Sequence, residues 1–201
     1  MKRILLAATA LTAIGLMSFH TLNEALPLGA DMPKADVKLK DISGKEITLK
    51  DAKKQNGLLV MFSCNTCPYV VKNQSRTNDI CKYALSKGIG VVILNSNEAN
   101  RSGADSYAEM QAYAKAQGYD WYYAVDQNNV LADAFGALRT PECFLFDKSG
   151  KLVYHGAIDD NPSDASKVSR NHLKEAINEA STGKDVSVKR SKSVGCGIKR
   201  I

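Results

Sequence analysis

The stretch "GLLVMFSCNTCPYVVK", residues 57–72, decides the fold of this chain. It begins with a continuous apolar run of strand length, which is typical of a central strand covered on both faces. Cys64 and Cys67 follow directly, and helical spacing of apolar residues resumes over 69–87. The two cysteines are therefore predicted to lie where a buried strand passes into a helix.

A cysteine pair at such a junction favours redox chemistry. The first turn of a helix offers backbone N–H groups without partners and the positive end of the helix dipole, and both stabilise a thiolate. The thiolate is the attacking species in disulfide exchange, and its stabilisation lowers the cysteine pKa from about 8.5. We predict that Cys64 attacks and that Cys67, three residues further on, resolves the mixed disulfide.

Strands alternating with helices are predicted along the rest of the chain. An opening β-hairpin is predicted around Ser43-Gly44, a turn signal between two alternating segments. Further strands are predicted at 89–97 and 121–126, helices at 104–118, 128–137 and 165–181, and an antiparallel hairpin at 139–159. This order predicts an α/β fold with a sheet of mixed direction, flanked by helices.

The arrangement resembles the thioredoxin fold. In that fold a proline in cis lies against the active-site disulfide, just before a strand of the terminal hairpin. The matching residue is Pro141, with Thr140 before it. The resemblance implies that both belong to the catalytic site and present backbone to a bound peptide.

A branch of that superfamily is also indicated. The opening hairpin, the additional strand–helix segment at 89–118 and "TPECFLFDKSGKLVYHG" at 140–156 resemble the redoxins. Redoxins include alkyl hydroperoxide reductase/thiol-specific antioxidant (peroxiredoxin-like) proteins and exported thiol–disulfide oxidoreductases. "CNTCPYV" at 64–70 and "GCGIK" at 195–199 are similar to a peroxiredoxin-like subgroup. The resemblance implies a redoxin domain at 23–182.

Two departures from family patterns bear on chemistry. Peroxiredoxins carry Pro-x-x-x-Thr-x-x-Cys, which neither cysteine here matches. This argues against peroxidase activity, and a thiol peroxidase of the peroxiredoxin-like group is kept only as an alternative to the oxidoreductase. Thioredoxin has a buried Asp six positions before its first cysteine, where this chain has Leu58. The proton acceptor for Cys67 is thus unassigned, and Glu142, beside Pro141, is a candidate by position.

The first 22 residues indicate export. Lys2 and Arg3 precede an apolar run at 4–17 that is short for a membrane span. We predict that 1–22 is a signal peptide or an uncleaved anchor, and that the protein is periplasmic or otherwise extracytoplasmic. Membrane contact is expected only through this segment, if it is retained.

Positive charge is concentrated at the other end. The formal net charge is +6, and residues 183–201 contain six Lys or Arg against one Asp. The predicted basic tail, 183–201, is expected to be solvated, and no nucleic-acid partner is expected. The expected partners are protein or small-molecule thiols and disulfides, together with an upstream reductase.

Five cysteines are present, an odd number, so they cannot all pair within one chain. Cys81 and Cys143 are predicted to be buried, with a redox role for Cys143 as an alternative. Cys196 lies in the polar tail and is a further possible redox cysteine, either as a free thiol or bridged to Cys81 or Cys143. The Cys64–Cys67 disulfide carries the electrons, so no cofactor is expected.

The cysteine pair has three other possible roles. Structural zinc usually needs four ligands in two close pairs, and there is no second Cys-x-x-Cys, so no metal site is expected. A copper chaperone would use Cys64 and Cys67 with His155 as a third ligand, because thiolates suit Cu(I). A redox-inactive binding module would keep the pair as a permanent disulfide.

Overall fold

The computed structural model describes residues 24–201. The predicted signal or anchor at 1–22 lies outside the described residues. Over the part of the chain that is described, no helix combines the length and apolar character that a membrane crossing requires.

Nine strands and five α-helices make up the described residues. In chain order they are β1 (Leu39–Asp41), β2 (Glu46–Ile47), α1 (Leu49–Ala52), β3 (Gly57–Ser63), α2 (Pro68–Ser86), β4 (Ile89–Asn95), α3 (Tyr107–Gln117), β5 (Tyr122–Val125), α4 (Val130–Phe135), β6 (Arg139–Thr140), β7 (Glu142–Phe146), β8 (Leu152–Gly156), α5 (His172–Ser181) and β9 (Cys196–Gly197).

Seven of these strands form one mixed sheet in the order β2-β1-β5-β4-β3-β7-β8. Strands β3, β4 and β5 run parallel, and the other pairs are antiparallel. Every residue of β3 and β4 is buried, as the continuous apolar runs predicted. The predicted α/β fold of thioredoxin type, with helices flanking a mixed sheet, is confirmed.

Each face of the sheet has its own apolar core. One core contains residues of α2, α3 and α5, and the other contains residues of α1 and α4. In the second core, Phe135 of α4 lies edge-on to Phe62, Phe144 and Phe146, at centroid distances of 5.4, 5.1 and 5.7 Å. Such pairs contribute about 0.5–1.5 kcal/mol each beyond burial of area. They hold the end of β3 that leads to the cysteines.

The opening hairpin forms as predicted, although its strands are short. Leu39 of β1 pairs with Ile47 of β2 across the turn. The second strand stops because Thr48 caps α1, accepting a 3.0 Å hydrogen bond from the backbone N–H of Asp51.

The last helix begins later than predicted. A single 3₁₀ turn spans Ala165–Lys167, and α5 starts at His172. Between the 3₁₀ turn and α5, the chain makes two hydrogen bonds with Asp160. The Asp160 carboxylate accepts from the Ser169 N–H at 3.0 Å, and the Asp160 N–H donates to the Arg170 carbonyl at 3.1 Å. These contacts hold the segment in a non-helical path.

The C-terminal segment packs against the domain, so the expectation of a solvated tail at 183–201 is wrong. Its apolar residues Val186 and Ile198 are buried in the two cores. Strand β9 pairs antiparallel with β6 and forms a second, two-stranded sheet. Sparse apolar residues suffice here because they fall at the points where the segment crosses the domain.

Candidate functional site

The two cysteines lie at the predicted strand–helix junction. Strand β3 ends at Ser63, Cys64 follows it, and Cys67 is the N-cap residue of α2. Pro68 occupies the first helical turn, where its missing N–H costs nothing. Only 2% of Cys64 and 4% of Cys67 is exposed, so both sulfurs are shielded from water in this structure.

Thr140 contacts the sulfurs of both Cys64 and Cys67. Strand β7 is antiparallel to β3 with Phe62 opposite Glu142, and continuing that register by two residues brings Thr140 level with Cys64. The Thr140–Pro141 peptide bond is cis, as the resemblance implied. Thr140 Oγ1 lies 3.5 Å from Cys64 Sγ, and the Thr140 carbonyl oxygen lies 3.3 Å from Cys67 Sγ. The predicted residues Cys64, Cys67, Thr140 and Pro141 thus come together.

Hydrogen bonding separates the pKa values of the two sulfurs. A hydrogen bond from the Cys64 thiol is the largest influence on Cys67 and, against burial, lowers the pKa of Cys67 to about 4. The Val70 backbone N–H, in the first turn of α2, acts in the same direction. The bond to Cys67, followed by burial, raises the pKa of Cys64.

That Cys64 is the attacking thiol stays a prediction, although the directions of the two pKa shifts favour a thiolate on Cys67. The sequence placed both cysteines at the junction, but the helix begins one residue after Cys67. The Val70 backbone N–H acts on the Cys67 sulfur and the Cys67 backbone N–H acts on the Cys64 sulfur, and each favours a negative charge there.

A buried polar network supports the loop between the cysteines, and sequence analysis missed it. The Asp105 carboxylate, fully buried, accepts from the Asn65 backbone N–H at 3.0 Å and from the Asn95 amide at 2.8 Å. The Tyr123 hydroxyl donates to the Asn65 side-chain oxygen at 2.7 Å. A signal was available, since Asn95 follows the apolar run of β4 and so falls at the same end of the sheet as the cysteines.

Glu142 does not contact either active-site cysteine. Its carboxylate accepts from the Leu138 and Arg139 backbone N–H groups at 2.8 and 3.0 Å, and it lies 2.7 Å from His155 Nε2. These contacts tie the cis-proline loop to β8. Its predicted role as proton acceptor for Cys67 has no direct contact behind it and stays a prediction.

His155 is engaged elsewhere. It is 9% exposed rather than a surface residue, pairs with Glu142, and stacks on Phe144 at a centroid distance of 4.3 Å. Within residues 24–201, no group of three or more His, Cys, Asp or Glu is placed to hold a metal ion. The copper alternative therefore has no third ligand at the cysteine pair in the described part of the chain.

The remaining cysteines separate into two kinds. Cys81 and Cys143 are fully buried in the same apolar core, as predicted, and burial raises the pKa of both thiols. Cys196 instead lies on β9, half-buried against the cluster of Cys64, Cys67 and Val70, and it lowers the pKa of Cys67. Of the two alternatives for Cys196, the structure has the free thiol and not the bridge to Cys81 or Cys143. A redox role for Cys143 stays a prediction.

Known proteins share this architecture. Residues 27–171 match the Redoxin family. The chain is 24% identical to thiol-disulfide oxidoreductase ResA of Bacillus thuringiensis subsp. konkukian (strain 97-27) over 135 residues, 67% of this chain and 72% of ResA.

Two solved structures are similar over nearly the whole chain. A hypothetical protein of Sinorhizobium meliloti 1021 has 34% identity and a TM-score of 0.81, covering 89% of this chain and 97% of that one. An uncharacterized conserved protein from Geobacillus kaustophilus has 32% identity and a TM-score of 0.80, covering 86% of this chain and 92% of that one.

Proposed function

Because this chain belongs to the redoxin family, we propose that it is a thiol–disulfide oxidoreductase that works through the Cys64–Cys67 couple. The observation that carries this proposal is the contact of both sulfurs with one residue of the cis-proline loop. Cys64 Sγ lies 3.5 Å from the Thr140 hydroxyl, and Cys67 Sγ lies 3.3 Å from the Thr140 carbonyl. Two cysteines so placed can be joined to each other or, in turn, to a client sulfur held at the loop.

The lowered pKa of Cys67 supports the following order of events, which is part of the proposal. The Cys67 thiolate attacks one sulfur of the client disulfide, that disulfide breaks, and the other client sulfur leaves as a thiolate. Cys64 then loses its proton and attacks the Cys67 sulfur. The Cys64–Cys67 disulfide forms, the second client thiolate leaves, and two electrons have passed from the chain to the client.

The oxidised couple must be reduced again before another turnover. A dithiol reductant can do so by the same exchange chemistry in reverse, and no organic cofactor enters. Clients and reductant are thus both thiol or disulfide compounds, either proteins or small molecules. The relatives named as thiol-disulfide oxidoreductases support this choice over a peroxidase.

Export is part of the proposal. A charged start and an apolar run at 4–17 support secretion through the predicted segment 1–22. Expression of the chain with and without 1–22, followed by fractionation of the cells, tests it. The full chain should appear outside the cytoplasm, and recovery of both forms in the cytoplasm would reject this part of the proposal.

Reduction of insulin by dithiothreitol tests the activity. The wild-type chain should accelerate it, and Cys67→Ser should return the rate to that without enzyme. Cys64→Ser should slow turnover, because Cys64 no longer resolves the mixed disulfide on Cys67. Cys81→Ala is the matched control, since Cys81 is buried in the core and should be dispensable. Full activity in Cys67→Ser would refute the assignment.

A further inference from the structure

The C-terminal strand lies on the cis-proline strand at the level of the cysteines. In the β6–β9 pair, Cys196 is directly opposite Thr140, and Gly197 is opposite Arg139. Thr140 is also the residue that both Cys64 and Cys67 contact. Three sulfurs therefore surround a single residue, although the third comes from a segment more than 120 positions further along the chain.

The position of this strand is held on the side that follows Cys196. The Ile198 N–H donates to the Leu138 carbonyl at 3.0 Å. The Lys199 N–H donates to the side-chain oxygen of Asn97 at 2.9 Å, and its carbonyl accepts from the Ala99 N–H at 3.0 Å. Each such bond contributes about 1 kcal/mol net, so together they keep β9 in register.

The side that precedes Cys196 is held as well. The Ser191 N–H donates to the His155 carbonyl at 3.1 Å, and its hydroxyl lies 2.6 Å from that of Tyr154. Gly195 passes so close to Thr140 that a Cβ there would overlap the Thr140 carbonyl. Contacts on both sides thus deliver the Cys196 side chain to one place.

The Cys196 side chain lies beside the Cys67 sulfur. The Cys196 thiol and the Cys196 backbone N–H both lower the pKa of Cys67, so they favour the Cys67 thiolate. Cys196 packs on the small apolar cluster formed by Cys64, Cys67 and Val70. It is more exposed than the other two cysteines and sits at the outer side of the site.

We infer that Cys196 is a third redox cysteine of this site, and that it forms a disulfide with Cys67 within the chain. The inference rests on the proposed function, because it uses the same exchange chemistry. It adds a second resolving route: a client bound to Cys67 is released by Cys196 as well as by Cys64.

The exchange balances without another reactant. The Cys196 thiolate attacks Cys67 in its mixed disulfide, the Cys67–Cys196 bond forms, and the client leaves as a thiolate that takes up the proton Cys196 gave to solvent. Cys64 then attacks Cys67, the Cys64–Cys67 disulfide forms, and Cys196 leaves as a thiolate. The client has gained two electrons, supplied by the chain's own thiols.

The charges around Cys196 favour its ionisation at the step in which it attacks the mixed disulfide on Cys67. Burial raises the pKa of Cys196, and so do its hydrogen bond to Cys67 and the charge there, whereas Lys199 lowers it. When Cys67 becomes part of a mixed disulfide, its negative charge is gone and Lys199 remains. Cys196 therefore ionises more readily once there is a bond for it to attack.

Oxidised glutathione added to the reduced full-length Cys64→Ser chain tests the inference, with mass mapping of non-reduced peptides. We expect Cys67 joined to Cys196, and at least tenfold less glutathione on Cys67 than in Cys64→Ser/Cys196→Ser. The matched control Cys64→Ser/Cys81→Ala should keep the Cys67–Cys196 bond. Equal glutathione on Cys67 with and without Cys196 would overturn the inference.

A second measurement uses the wild-type chain, so it does not depend on the folding of a variant. Acid quenching at increasing times after oxidised glutathione is added should show the Cys67–Cys196 disulfide before Cys64–Cys67 accumulates. Its absence at every time would also overturn the inference. Failure of the proposed function looks different: insulin reduction would be absent in the wild type, whatever disulfide Cys196 forms.

Discussion

Thr140 and Cys196 face each other as a register pair of two antiparallel strands, and the Cys67 sulfur lies against both. An exposed strand edge with free N–H and C=O groups is a natural place for an extended peptide to add. Here the chain's own C-terminal strand takes that edge. A client that paired with β6 would therefore have to displace β9.

Gly195→Ala should loosen the C-terminal strand. The added Cβ would overlap the Thr140 carbonyl, and relieving the overlap breaks the β6–β9 pairing. Losing two hydrogen bonds of about 1 kcal/mol raises the open population roughly tenfold or more. Alkylation of Cys196 by iodoacetamide should speed up accordingly. Gly197→Ala is the matched control, because its nearest neighbour, the Leu138 carbonyl oxygen, is 4.0 Å away. Equal rates in the two variants would contradict the assigned contact.

The Cys67 thiolate should persist into acid. Its pKa of about 4 lies below the ordinary thiol value of about 8.5, so the charged form stabilises the fold. This contribution is fully present above the ordinary value and is lost as pH falls through about 4. The ultraviolet absorbance of the thiolate should be lost over the same pH range, and it should be absent in Cys67→Ser.

Removing the hydrogen bond from Cys64 should shift the midpoint of that titration. Cys64→Ala should shift the midpoint of the Cys67 thiolate absorbance upward, because the Cys64 thiol is the largest influence on the pKa of Cys67. Cys81→Ala, remote from the site in the core, should leave the midpoint where it is. A wild-type midpoint at the value of an ordinary thiol would reject the thiolate assignment.

Asp105→Ala should destabilise the loop between the cysteines. The change leaves the Asn65 N–H and the side-chain amides of Asn95 and Asn97 without their acceptor. An unsatisfied buried donor costs about 1–3 kcal/mol, so the free energy of unfolding in urea should fall by about 3 kcal/mol or more.

The matched control for Asp105→Ala is Asp36→Ala, which removes a carboxylate from an exposed ion pair with Lys50. Exposed pairs contribute about 0–1 kcal/mol, so this variant should unfold close to the wild type. If the two variants were equally stable, the buried network would not be holding the loop.

Arg76→Met should leave the buried Asp159 carboxylate without its ion-pair partner. Arg76 donates to Asp159 at 2.5 Å and to the Asn161 carbonyl at 2.8 Å, and the Asp159 side chain is 1% exposed. Removing one partner of such a pair costs about 3–5 kcal/mol, because a charge stays buried and unpaired. Urea unfolding should show this loss, and Arg76→Met/Asp159→Asn should recover part of it. A double variant no more stable than Arg76→Met would argue against the charge as the cause.

Sequence alone determined what depends on local patterns. A continuous apolar run predicted β3, Cys-x-x-Cys followed it, and helical spacing predicted α2, all within 57–87. The turn at Ser43-Gly44 likewise predicted the opening hairpin. These elements follow from neighbouring residues, whose hydrophobic period and turn chemistry are the same in any context.

Only the tertiary structure decided which sulfur carries the charge and what lies beside it. The ionisation of Cys67 depends on where α2 begins to within one residue and on a hydrogen bond from Cys64. The place of Cys196 depends on Gly195 and on hydrogen bonds to Leu138 and Asn97, which are far away in the chain. A tail with few apolar residues has no periodic signal, because distant backbone groups, rather than its own pattern, hold it in position.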